Sequence, residues 1–406
     1  MKGNIRALGI NLLLCVASIS IFFGGVELLA RLKYTPQKIE YIGVFEYDRE
    51  KAFRLRSNFE GEYNDVTFST NSLGLRGAEI SVEKPENTKR VLVLGDSVMF
   101  GHQVLGDETA SYFLEQELNK HFAELEENIS VQVINAAVPG NSAYQEYHDL
   151  MRGLELGPDV IVLQFSLNDV MDHWASWMFE DMGLDNSEKR NQDYLFGRSN
   201  MPYADHLLKQ HSAFYLFLKD MYGRVRFQDV TGDNIVEKAG KEEFAWANKI
   251  VNEPEHPKVL EGWENCLKWM REMTNLASKK DIPFILMASP LEFQLSREKK
   301  FAHPQRILQT FAVEEGIYFV DLLDILRGMY AESAVGEPVE TAEEIDKIIV
   351  ETREEVERIT IATGTGAFNP FEDFWYEYFV EYVHPSLRGN ELIADTLKPV
   401  VLNKLQ

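Results

Sequence analysis

Cysteine is nearly absent from this chain: 406 residues carry two, Cys15 and Cys266. Cys15 lies in an apolar N-terminal run and Cys266 in a stretch of helical periodicity, so no disulfide between them is expected. No CxxC pair and no Cys/His spacing of a structural zinc site occurs, and no metal or cofactor is expected. Positive charge is also scarce: Lys and Arg total 41 against 65 Asp and Glu, a formal net charge of -24. No dense Lys/Arg run forms the basic patch that phosphate backbones require, which argues against a nucleic-acid partner. Internal repeats and low-complexity tracts are missing too. With 45% hydrophobic and 26% charged residues, the composition is that of a globular protein.

One long apolar run is present, Ala7 to Val26 (ALGINLLLCVASISIFFGGV). Twenty such residues can span a bilayer core of roughly 30 Å. Lys2 and Arg6 precede it, and Glu27, Arg31 and Lys33 follow. Residues 1–33 therefore read as a single-pass signal anchor in a bacterial cytoplasmic membrane, with the remainder on the periplasmic or extracellular side. The alternatives are a cleaved signal peptide, for which a small-x-small site is lacking, and a buried core helix. Residues 34–88, with recurring aromatics and Gly61, Gly74 and Gly77, read as a β-rich connecting region.

The remaining residues, 89–406, alternate strand and helix. Arg90–Leu94, Val131–Ala136, Asp159–Ser166, Pro283–Ala288 and Ile317–Asp321 are apolar runs of strand length. Helices are expected at about Thr109–Leu125, Ala143–Leu154, Val259–Lys280 and Phe301–Glu315, and from Ser386 onward. Such alternation predicts a parallel sheet covered by helices. It is interrupted at about 170–257, an aromatic-rich stretch expected to cap the sheet, and at about 324–378, which includes a highly charged helix.

Four short segments stand at strand ends or before the last helix: Gly95-Asp96-Ser97, Pro139-Gly140-Asn141, Leu167-Asn168-Asp169 and Glu381-Tyr382-Val383-His384-Pro385. Acyl transfer to a serine needs a base for the hydroxyl proton and donors aimed at the developing oxyanion. Ser97 can be the nucleophile and His384 the base. The backbone N–H groups of Ser97 and Gly140, with the Asn168 amide, can form the oxyanion hole. Glu381, three residues before His384, can orient the imidazole. His102, His148 and His173 lie outside this constellation. Each assignment has a plainer alternative: Ser97 and Asn168 as helix caps, Gly140 as a turn residue, Glu381 as a surface carboxylate.

These four segments resemble the blocks of the SGNH, or GDSL, hydrolase superfamily, spread over residues 90–400. The resemblance implies a flavodoxin-like three-layer α/β/α fold with a parallel five-stranded sheet of order 2-1-3-4-5. It also implies metal-free attack on ester bonds by Ser97, His384 and an acid, with Ser97, Gly140 and Asn168 as oxyanion donors. The sequence departs from the family in two places. Val98 stands where Leu usually follows the serine, and Glu381 stands where Asp usually precedes the histidine; Glu can fill that role. The expected function is hydrolysis of acyl esters, with O-acetyl groups of carbohydrate or envelope polymers as candidate substrates. The alternatives are an O-acyltransferase modifying an extracellular polysaccharide and, in another class, a non-catalytic envelope scaffold.

Overall fold

The computed structural model describes residues 2–32, 44–48, 50–63, 66–170, 208, 212–215, 217, 218, 221, 245–296, 302–363 and 369–406. The chain divides into two compact units, Met1–Tyr47 with Ser176–Ala239, and Asp48–Ala175 with Gly240–Gln406. Most of the expected insertion at about 170–257 lies outside the described residues.

In the first unit, Lys2–Ala30 form one helix. Near its end, Glu27 accepts hydrogen bonds from the Ser212 hydroxyl and from the backbone N–H groups of Ala213 and Phe214, at 2.9, 2.9 and 3.0 Å. Among the described residues, no helix is long and apolar enough to cross a membrane. The transmembrane anchor expected within residues 1–33 thus gains no support from the fold. What the structure adds is a polar capping role for Glu27, one residue beyond the apolar run.

The second unit is built on a five-stranded sheet: β1 (Thr88–Leu94), β2 (Ser130–Asn135), β3 (Val160–Phe165), β4 (Phe284–Ala288) and β5 (Tyr318–Asp321). All neighbours are parallel, in the order β2-β1-β3-β4-β5. This is the order expected from the resemblance. Val91 pairs with Val133 on one side and Val160 on the other, and Val91 to Leu94 have no solvent exposure. A strand buried on both faces needs continuous apolar residues rather than alternation, which is why β1 reads VLVL. From β1 the chain passes to β2 on one side and later to β3 on the other. The carboxyl end of β1 is therefore the topological switch point, where open α/β sheets place their ligands.

Two helix pairs cover the sheet. Ala110–Glu124 packs on Leu387–Leu405, and Ala143–Gly153 on Pro257–Ser278. The first begins where Thr109 accepts a hydrogen bond from Tyr112 N–H, and it buries Leu114, Leu118 and Phe122 at helical spacing. Each such side chain contributes roughly 1.5–3 kcal/mol. The inner stripe of the last helix is Gly389, Asn390, Ile393, Ala394, Leu397, Val401 and Leu405, while Leu387 is 43% exposed. The stripe turns because a buried polar residue, Asn390, takes a position that apolar periodicity could not assign.

Residues 48–88 belong to the same unit as the sheet. They include an antiparallel hairpin, Glu60–Tyr63 against Val66–Ser69. Its first strand, with Glu60, Gly61 and Glu62, has no apolar pattern and was not expected. Within 324–378, helix Leu322–Val335 follows β5 directly, and Arg327 reaches Asp346 of helix Ala342–Thr363 at 2.5 Å.

Candidate active site

Gly95, Asp96 and Arg76 set the turn that carries Ser97. Gly95 leaves β1 at φ 151°, and a Cβ there would lie 2.6 Å from Gln164 Oε1, so the turn passes closer to β3 than any other residue permits. Asp96 Oδ1 accepts from Val98 N–H at 2.9 Å and starts the short helix Ser97–Phe100. Asp96 Oδ2 accepts from Asn168 Nδ2 at 2.8 Å, tying the turn to the end of β3. Burial raises the Asp96 carboxyl above its usual range. Arg76, from the segment before the sheet, donates to the carbonyls of Phe100, Gly101 and Val104 at 2.8, 2.6 and 2.6 Å, and its guanidinium sits 4.5 Å over the Phe100 ring.

His384 arrives on a tight loop, residues 379–386. Val380 N–H donates to His384 O at 2.9 Å and Ser386 N–H to Tyr378 O at 2.8 Å. The Trp375 indole donates to Glu381 O at 2.7 Å. Asn390 fastens the loop to the domain: its amide donates to Ser386 O at 2.9 Å while its Oδ1 accepts from Ala110 N–H at 2.9 Å.

These pieces bring Ser97 and His384 together across 287 residues, with His384 Nε2 2.7 Å from Ser97 Oγ. The other ring nitrogen, Nδ1, is hydrogen-bonded to Glu381 Oε1. That hydrogen bond holds the Glu381 carboxyl below its usual range. Glu381 thus lies against the imidazole. Its side chain remains 38% exposed, against 12% for His384.

Gly140 is buried in a left-handed turn at φ 91°. Neither the Ser97 nor the Gly140 N–H donates to a described residue. The Asn168 amide, expected as an oxyanion donor, also serves the turn: one of its two hydrogens goes to Asp96, which leaves the second.

Several residues that the sequence analysis did not assign to the site lie here. His102 packs its ring on His384, centroids 4.2 Å apart at 31°. Burial, with the nearby charges of His384 and Arg76, lowers its pKa to about 3 and keeps it neutral. Its position five residues after Ser97, on the turn leaving the short helix, was the only available signal. Asp149, on the helix after Gly140, accepts from Asn141 Nδ2 at 2.7 Å and pairs with the fully buried Lys51. Glu146 on that helix is buried beside Asp169, Asp96 and Asp149, and burial with those charges lifts its carboxyl well above the usual range. His148 lies elsewhere, in edge contact with Tyr144 and Tyr147, and His173 is outside the described residues.

No family model and no curated protein matches the sequence. Solved structures do match. The matches include lipolytic G-D-S-L proteins and acetylxylan esterases. One is a member of the lipolytic G-D-S-L family from Veillonella parvula, at 13% identity, covering 77% of this chain and 98% of that one, with a TM-score of 0.34. Another is an acetylxylan esterase from Geobacillus stearothermophilus, at 13% identity, 78% and 94% coverage, and a TM-score of 0.34. A third is TesA, at 11% identity, 78% and 99% coverage, and a TM-score of 0.35.

Proposed function

We propose that this protein is a serine ester hydrolase of the SGNH type. One observation carries the reading: Ser97 Oγ, His384 and Glu381 are hydrogen-bonded in series at the switch point of a parallel sheet. With Nδ1–H donated to Glu381, the Nε2 lone pair faces the serine hydroxyl. Ser97 Oγ attacks the ester carbonyl carbon as its proton passes to Nε2. The oxyanion is received by the Ser97 and Gly140 N–H groups and the remaining Asn168 hydrogen. Collapse breaks the bond to the alcohol oxygen, which takes the proton from His384 and leaves an acyl-serine. Water then repeats the sequence and releases the acid. Through these steps Glu381 stabilises the imidazolium without accepting its proton.

The substrate class is acyl esters, with O-acetyl groups on carbohydrate or envelope polymers favoured by the sequence reading. The same constellation serves transfer to a sugar hydroxyl if that acceptor replaces water. Placement of the domain outside the cytoplasmic membrane, held by residues 1–33, is likewise a reading of the sequence, to be tested by membrane fractionation and protease accessibility. The enzymatic test is release of p-nitrophenol from p-nitrophenyl acetate, with and without an oligosaccharide acceptor. Turnover in water alone supports the hydrolase, turnover only with acceptor supports the transferase, and full function of Ser97→Ala would restore the scaffold reading.

A further inference from the structure

His102 packs its ring on His384, and the proposed reaction does not use it. Its ring nitrogens, those of His384 and a Glu381 carboxylate oxygen include a set of three ligand atoms within 4.8 Å of one another. Two imidazoles and a carboxylate are a borderline donor set that suits zinc, whose three-protein-ligand sites keep a fourth position for water. Zinc bound at about 2.0–2.2 Å holds its donors roughly 3.4 Å apart, so the three side chains must readjust around it, and zinc at His384 Nδ1 would replace the hydrogen bond to Glu381. The approach is open, because 38% of the Glu381 side chain faces solvent. His102 is 8% exposed and comes from the nucleophile's own turn, whereas Glu381 and His384 come from the loop before the last helix. A cation would therefore clamp two separate parts of the active site.

We propose that the juxtaposition of His102, Glu381 and His384 forms a zinc site whose occupation switches the serine off. The inference rests on the hydrolase reading, since the metal acts by removing the base. That consequence holds whichever ring nitrogen of His384 takes the ion. At Nε2, zinc consumes the lone pair that faces Ser97. At Nδ1, the single proton of the neutral ring must sit on Nε2, and again no lone pair faces Ser97. A metal-bound His384 cannot receive the hydroxyl proton in either case. Zinc is thus an inhibitor here and takes no part in the chemistry.

The test uses the full chain freed of metal by chelation. Zinc is expected to suppress p-nitrophenyl acetate hydrolysis reversibly, with recovery on adding EDTA, while calcium and magnesium, which prefer all-oxygen sites, leave the rate unchanged. Binding is read separately in Ser97→Ala, which keeps all three ligands, by cobalt(II) absorption and zinc calorimetry. Adding His102→Phe, or His102→Asn should the aromatic variant fail to fold, is expected to weaken binding by roughly 10²-fold and abolish the tetrahedral cobalt bands. Zinc affinity that survives both His102 substitutions, or full hydrolysis at saturating zinc, overturns the proposal. If Ser97→Ala binds zinc through His102 while the native chain hydrolyses no ester, the site stands and the hydrolase reading falls.

Discussion

Lys51 places its ammonium 2.6 Å from Asp149 Oδ1, with no solvent exposure of its own side chain. Asp149 in turn accepts from Asn141, the neighbour of Gly140. A lysine ahead of the sheet is thereby linked through two hydrogen bonds to the turn that carries Gly140, a proposed oxyanion donor. Removing one partner of a buried pair strands the other charge, which costs about 3–5 kcal/mol. Lys51→Met should lower stability by about that amount in urea unfolding. Lys51→Met combined with Asp149→Leu should cost less than the sum of the two single changes. Additive losses would show that the pair is not a coupled unit.

The loop carrying His384 depends on a glycine. A Cβ on Gly389 would fall 1.9 Å from the Tyr378 carbonyl oxygen, the same oxygen that accepts from Ser386 N–H. Backbone cannot yield as a flexible side chain can, so Gly389→Ala must displace the loop. The expected result is a loss of about 1–3 kcal/mol in stability together with a drop in kcat, because His384 is drawn away from Ser97. Unchanged kcat would mean that the helix moves and the loop does not.

Stability should also carry a pH signature from Asp321 at the end of β5. Burial and the neighbouring Asp324 charge raise its pKa to about 7. In the unfolded chain an aspartate titrates near its ordinary value of about 3.9. Between these values the native state holds a proton that the unfolded state has released. Stability is then full below about pH 4 and falls as pH rises towards 7. Asp321→Asn retains a side-chain oxygen to cap Leu323 N–H, which Asp321 now does at 3.0 Å, and should flatten this slope. An unaltered slope in urea midpoints across pH 4.5–7.5 would place the titration elsewhere.

The triad should divide unequally. Ser97→Ala and His384→Ala remove the proposed nucleophile and base, and each should cost roughly 10⁴-fold or more in kcat. Glu381→Gln keeps the shape and loses the charge at a half-exposed position, for roughly 10²-fold. Equal losses in all three would make Glu381 as indispensable as the other two.

The positions of the five strands were legible as short, largely apolar runs, their order came from the family resemblance, and Ser97, His384 and Glu381 stood out as candidates because chemistry limits which residue types can serve. Lys51, Arg76 and Asn390 did not. Each is a polar residue whose partner lies far along the chain, and single-residue patterns carry no sign of that partner. His102 lies outside the four segments although it is near Ser97 in sequence. That nearness, through the short helix Ser97–Phe100 and the turn after it, is what brings its ring onto His384. For Asn168 the sequence indicated a donor and could not show that Asp96 takes one of its hydrogens.

The most direct measurement of an activated Ser97 is labelling of the purified full chain with a fluorophosphonate probe, followed by peptide mapping. The proposed mechanism predicts a single adduct on Ser97, formed rapidly in the native chain and lost in His384→Ala. No adduct, an adduct on another serine, or undiminished labelling of His384→Ala would contradict it.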